Sequence, residues 1–186
     1  MKARSQLIGE NTLLLEQLEA LVATMPTDVY RRNNHEYFGS GVGKHVRHIL
    51  DFYERFLDGC DGSIDYDARK RDARVEQDPG EASRRAAAYS GALALLEEET
   101  REHRVRVRTC THGFSDGSVT VASSLERELA HLSSHTIHHF ALIATILRIQ
   151  GISPPEDFGV APSTLRHERS GGAKNTSRGA KNASGG

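Results

Sequence analysis

The sequence predicts an all-α protein: a four-helix bundle with one small β-hairpin inserted between its third and fourth helices. Three observations carry this expectation. Four stretches repeat apolar residues every three to four positions, the period of a helix with one buried face. Aromatic residues make up only 6% of the chain, which favours aliphatic helix packing over an aromatic-rich sheet sandwich. Between the third and fourth periodic stretches the spacing changes to two, the period of a strand. The connections are long enough that neighbours in the bundle need not follow chain order.

The first element spans Ser5 to Met25. Leu7, Leu14, Leu18, Leu21 and Met25 line one face, Ile8, Leu15 and Val22 lie beside them, and Pro26 ends the run. Thr27 to Gly39 shows no sustained period and reads as an irregular connection. Ser40 stands where it can cap a second helix, whose Val42, Val46, Ile49, Leu50, Tyr53, Phe56 and Leu57 share a face before Gly59 stops it. Gly41 and Gly43 weaken its first turns. Cys60 to Gln77 is polar apart from Ile64 and Tyr66 and reads as a long surface excursion. Asp78-Pro79 supplies a cap and a first-turn proline to an Ala-rich third helix reaching about Glu102. Val105, Val107 and Thr109 then alternate with Arg104, Arg106 and Arg108. Val119 and Val121 follow the turn-like Ser115-Asp116-Gly117, completing a hairpin. Ser123 and Glu126 match a capping box for a fourth helix through Leu129, Leu132, Ile143 and Leu147 to Gly151, with Pro154-Pro155 beyond. From about Arg169 the composition falls to Gly, Ser, Ala, Lys, Asn and Thr, too little apolar surface to offset ordering entropy. Residues 1–160 are therefore expected to form the domain and 161–186 a disordered tail.

Charge and composition narrow the function. With 24 Lys and Arg against 25 Asp and Glu there is no long-range field to attract phosphate backbones or acidic lipid, so neither nucleic acid nor membrane is the expected partner. No basic and apolar leader opens the chain and no apolar run spans a bilayer, which makes a cytoplasmic location the expectation. Cys60 and Cys110 lack a Cys-x-x-Cys spacing and read as ordinary thiols. Histidine is the unusual component: there are ten, five of them between His131 and His167.

On an ideal helical wheel with Leu125 at zero, Leu129, Leu132, Ile143 and Leu147 fall within roughly 40° of it. His139 falls about 40° away and His135 about 80°, whereas His131 and His138 lie roughly 120° and 140° off the stripe. His135 and His139 thus face inward on adjacent turns, where two imidazoles can reach one metal ion. Thr136 follows His135, so the glutamate base of His-Glu-x-x-His peptidases is missing. Two histidines make a weak, open site, and a durable one needs a third ligand from another segment. The second helix offers His45, near the edge of its apolar stripe, and His48, one step further out. The wheel leaves both open and leans to His45.

The stretch Gly43-Lys44-His45-Val46-Arg47-His48-Ile49-Leu50-Asp51, followed far along by His135-Thr136-Ile137-His138-His139, resembles the DinB-like (damage-inducible) superfamily of four-helix bundles that carry a metal on three histidines. The resemblance spans roughly Ser5 to Gly151 and rests on those two histidine segments. Matched position by position, it implies His48, His135 and His139 as ligands, with His45 in reserve. It implies a divalent ion, zinc or nickel first and iron or copper after them, with one coordination position open. The implied activity is that of a metal-dependent enzyme whose ion activates water or a thiol, of hydrolase or thiol-dependent transferase type. Its substrate would be a small molecule, joined in the transferase case by a low-molecular-weight thiol. No side chain is assigned a catalytic role, and a water on the ion is the implied nucleophile. The alternative is a non-catalytic metal-binding or dimerising bundle, a homodimer in the latter case. A phosphotransfer bundle needs a solvent-facing histidine and fits the inward pair poorly. Asp51 and Glu128 are placed to orient ligand imidazoles, while Tyr30, Tyr37 and Tyr53 read as packing residues.

Overall fold

Long amphipathic helices bury their apolar stripes against one another, and the sequence supplies four of them. The computed structural model describes residues 3–33, 39–96, 104–110, 117–161, 163–168 and 170. In chain order the helices are α1 (Ala3–Ala23), α2 (Thr27–Arg31), α3 (Val42–Gly59), α4 (Ala73–Gln77), α5 (Pro79–Leu95) and α6 (Leu125–Ile149). The strands are β1 (Ser63–Asp65), β2 (Arg104–Cys110) and β3 (Ser118–Ser124). The fold is mostly helical with a small three-stranded sheet. The helices α1 and α3 each pack against both α5 and α6, so spatial neighbours do not follow chain order. Leu15, Leu18, Val46, Ile49, Tyr53, Phe56, Leu132 and Ile143 fill the space between them. Among the described residues no helix is long and apolar enough to cross a membrane.

A buried polar chain joins three of these helices. Asn11 Nδ2 donates to the carbonyls of Leu7 (2.8 Å) and Leu129 (3.0 Å), and its Oδ1 accepts from the Tyr53 hydroxyl at 2.8 Å. The Tyr53 oxygen in turn accepts from Thr136 Oγ1 at 3.3 Å. Each buried polar group thereby finds a partner, which fixes the relative depth of α1, α3 and α6. Thr136 is next to His135, so this chain also sets the height at which the histidines of α6 face α3.

The sequence expectations need correction at several elements. The hairpin β2–β3 is present, but β1 joins it in parallel, with Ile64 opposite Val107. Ile64 and Tyr66 are both buried, and their spacing of two is a strand signal too short to stand out within a polar stretch. The supposed surface excursion also contains α4, capped by Asp72, whose carboxylate accepts from Arg74 N. The expected irregular connection opens with α2, a short helix that buries Val29 and Tyr30 and sends the Tyr30 hydroxyl to the Val75 carbonyl at 2.7 Å. Residues 34–38, 97–103, 111–116 and 171–186 lie outside the described residues, and with them the far end of the expected third helix, most of the hairpin turn and the tail from Gly171 onward; within the start of the expected disordered tail, residues 163–168 are helical, with Thr164 N and Leu165 N bonding Ala161 O.

The caps differ in detail. Gly41, not Ser40, occupies the N-cap of α3, without a side-chain cap bond. The two early glycines serve close approach: a Cβ on Gly41 would strike the Arg32 carbonyl, and one on Gly43 the Glu76 carbonyl. For α6 the cap is Ser124, one residue later than the expected box, and its hydroxyl accepts from Arg127 N. The Asp78-Pro79 start of α5 is as expected. Gly151, with φ +77°, ends α6 in a Schellman turn: Ile152 N bonds Leu147 O at 2.9 Å and Gly151 N bonds Arg148 O at 3.0 Å.

Candidate metal centre

The helix α3 is held tightly at the level of its histidines. Arg47 is buried, its Nη1 2.7 Å from Asp51 Oδ2 and its Nε 2.9 Å from Glu76 Oε2. A buried guanidinium with two carboxylate partners is satisfied in place and ties α3 to α4. On the facing helix, Leu129, Leu132, Phe140 and Ile143 seat α6 in the core. Between these two anchored faces the imidazoles of His48, His135 and His139 converge. Each offers one nitrogen, and the three nitrogens lie within 4.8 Å of one another. His48 Nε2 and His135 Nε2 are 3.1 Å apart. Bonds of about 2.0–2.1 Å from nitrogen to a tetrahedral ion set neighbouring ligand nitrogens roughly 3.4 Å apart. The donor set suits a divalent ion.

Electrostatics hold these rings in the neutral form that a metal requires. Partial burial, with the neighbouring imidazoles adding, lowers the pKa of His48 to about 3, of His139 to about 3 and of His135 to about 4. For His48 the Arg69 cation contributes in the same direction. Neutral imidazoles crowded together with no acidic partner resist protonation and keep their lone pairs available.

The reserve ligand His45 lies outside the trio and against it. Its Nδ1 is 3.0 Å from Nδ1 of His139, and its Nε2 is 3.1 Å from Ser40 Oγ. With Nδ1 of His139 turned to His45, Nε2 is the nitrogen of His139 left for an ion. His45 can accept from His139 while donating to Ser40, a relay that selects the His139 tautomer suited to a metal. Ser40, expected as a helix cap, thus serves the histidine relay.

His48 has a different outer partner. Its Nδ1 lies 2.8 Å from Nη1 of Arg69, which sits in the segment between β1 and α4. The Arg69 guanidinium also lies over the Phe52 ring, 5.4 Å from its centroid. Phe52 forms a wall of the site, stacked on His135 at 4.1 Å between centroids and on Tyr66 at 5.0 Å. Arg69 and Phe52 escaped sequence reasoning: one sits in a charge-rich stretch that reads as solvated, the other beside an apolar stripe that reads as packing.

The expected carboxylate supports are engaged elsewhere. Asp51 pairs with Arg47, and Glu128 accepts from Tyr66 Oη at 3.0 Å and from Ser123 Oγ. Neither reaches a ligand imidazole among the described contacts. The buried Glu128 organises the edge of the site by holding Tyr66, whose ring meets His131 edge-on at 5.7 Å. His131 is half-buried and His138 exposed, so His131 is drawn further into the structure than its wheel position suggests. An apolar cavity of about 850 Å³ lies between α1, α6 and the segment after α6, lined by residues such as Leu14, Leu21, Phe140 and Phe158. None of its lining residues is a histidine, and it is separate from this chemistry.

Comparison with known proteins bears on the whole of this structure. A sequence model described as the DinB family matches residues 3–167, which includes all four histidines of the cluster. A protein named FK506-binding protein 5 from Rhizopus delemar (strain RA 99-880) is 31% identical over 104 residues, covering 56% of this chain and 27% of that protein. The chain therefore spans about a quarter of the length of the curated relative it matches.

Proposed function

The chain belongs to the DinB family, and from that premise we propose that it is a four-helix bundle of the family's type in which His48, His135 and His139 hold one divalent ion at a catalytic centre. The observation that carries this reading is the convergence of three neutral, half-buried imidazoles from two helices anchored independently of any ion. Three imidazoles suit zinc or nickel, with iron and copper next. When bound, such an ion acts as a Lewis acid that lowers the pKa of a water or thiol and polarises an electrophile. The chain's own residues do the positioning. His45 and Ser40 hold His139 in one tautomer, Phe52 braces the His135 ring, and the Arg47–Glu76 pair ties α3 to α4 beside the site. Hydrolysis or thiol-dependent transfer on a small molecule in the cytoplasm is the activity this arrangement fits best.

Metal content tests the proposal. Full-length protein purified without chelators should carry one divalent ion per chain, and His48→Ala, His135→Ala and His139→Ala should each lose it. Metal-free wild type under those conditions, or metal retained by all three variants, would reject the centre.

A further inference from the structure

Arg69 combines features that a structural arginine seldom shows together. It is half-buried, and its Nε is shielded from solvent without a hydrogen-bond partner. Among the described residues no carboxylate pairs with it. Its bonded partners are a neutral imidazole nitrogen and the face of a phenyl ring. The Asp51 carboxylate feels the charge of Arg69 but is bonded to Arg47, and Glu54 is bonded to Lys70 and Arg55. A partly desolvated guanidinium without a bonded anion leaves donors of its fork unmatched, and that fork fits the two oxygens of a carboxylate.

The bond to His48 adds a second argument. A guanidinium only donates, so Nδ1 of His48 must accept, and the imidazole proton then sits on Nε2, facing His135. An ion on Nε2 needs the opposite tautomer, with a proton on Nδ1 pointing at Arg69, donor against donor. Arg69 must therefore release His48 when the centre is loaded, and the freed fork requires another acceptor.

We propose that this acceptor is the carboxylate of a small acidic substrate, which Arg69 binds and orients beside the ion. The proposal rests on the metal centre above and names the substrate class for it. The fork pairs bidentately with carboxylate and phosphate alike, but one guanidinium balances the single charge of a carboxylate and only half that of a phosphate dianion.

Acetate, acetamide and inorganic phosphate, titrated by NMR into full-length protein with and without zinc, test it through the Arg69 Nε–H and the backbone amides of Phe52 and Arg69. Acetate should bind the zinc-loaded wild type, acetamide should not, and phosphate should bind more weakly. Arg69→Gln should weaken acetate about 10–100-fold, the worth of charged hydrogen bonds, and Arg69→Lys should weaken it as well by losing the fork. The Arg69→Lys result decides the matter if Arg69→Gln does not fold. Equal acetate affinity in wild type and variants overturns the proposal, and tighter binding of phosphate overturns the carboxylate assignment. Zinc uptake is measured separately. If no zinc binds, the metal centre fails and this proposal fails with it; zinc uptake with equal acetate affinity in wild type and variants fails this proposal alone.

Discussion

The two ends of the histidine cluster are built differently. At one end His139 turns its outer nitrogen to His45, which is backed by Ser40, and this relay leaves the inner nitrogen of His139 ready for an ion. At the other end His48 turns its outer nitrogen to Arg69, a donor, and its inner nitrogen carries the proton toward His135. One end is preorganised and the other must rearrange. On the proposed centre the difference would separate two jobs: the His139 end would provide a fixed platform, and the His48 end would couple metal binding to the state of a neighbouring cation.

The largest effect expected is loss of the platform. His135→Ala or His139→Ala should reduce metal affinity by more than the roughly 10–100-fold that a hydrogen-bond partner of a ligand is worth, read as metal content after dialysis against a weak chelator. Next comes the relay. His45→Ala should weaken metal binding about 10–100-fold while leaving the stoichiometry at one. If His45→Ala abolishes binding as completely as His139→Ala, His45 is a ligand and the two ends are not distinct in the way described.

Proton competition sharpens the comparison from another side. About a unit above the ordinary pKa of roughly 6.5 the imidazoles are neutral in both folded and unfolded chains. As the pH falls, the unfolded chain takes up protons at the ordinary value, whereas folded His135 waits until about 4 and His48 and His139 until about 3. The unfolded state binds more protons in this window, so the metal-free fold should lose stability progressively between pH 6.5 and 4. Urea midpoints across that range check the sign, and the slope should flatten in a His48→Gln and His139→Gln double variant. The smallest effect concerns the cation. Arg69→Gln should raise metal affinity about fivefold, since about 1 kcal/mol of charge repulsion in a water-like dielectric is removed together with the bond that holds the wrong His48 tautomer. Calorimetric zinc titrations of wild type and variant measure it, and weaker binding in the variant would mean that Arg69 supports the loaded centre instead of yielding to it.

What could be read in the sequence follows from the range of the interactions involved. The His135 and His139 pair is a local fact of helix pitch, visible from the spacing and from the apolar stripe that Leu129, Leu132 and Ile143 define. The choice between His48 and His45 is not local. Both sit at the border of the same stripe, and what separates them is their distant partners, His135 and Arg69 for one and His139 for the other. The helix wheel leaned to His45, and the family resemblance chose the residue that the geometry brings into the trio. Arg69 and β1 were hidden for a related reason. Ile64 and Tyr66 are two apolar residues in a charged stretch, and only pairing with β2, some forty residues later, makes Ser63–Asp65 a strand. Once β1 is placed, the segment after it brings Arg69 over Phe52. The long helices, by contrast, were legible because each carries its own periodic face, and the Asp78-Pro79 start and the Gly151 stop carried theirs.

X-ray absorption at the zinc edge of the loaded, full-length protein tests the centre most directly. Three imidazole nitrogens at about 2.0–2.1 Å and one further light atom are the predicted shell, unchanged in His45→Ala; His48→Ala, which loses its ion on purification, should show one imidazole fewer when zinc is resupplied in excess. A shell with four imidazoles in the wild type, or one that loses nothing when His48 is replaced, would contradict it.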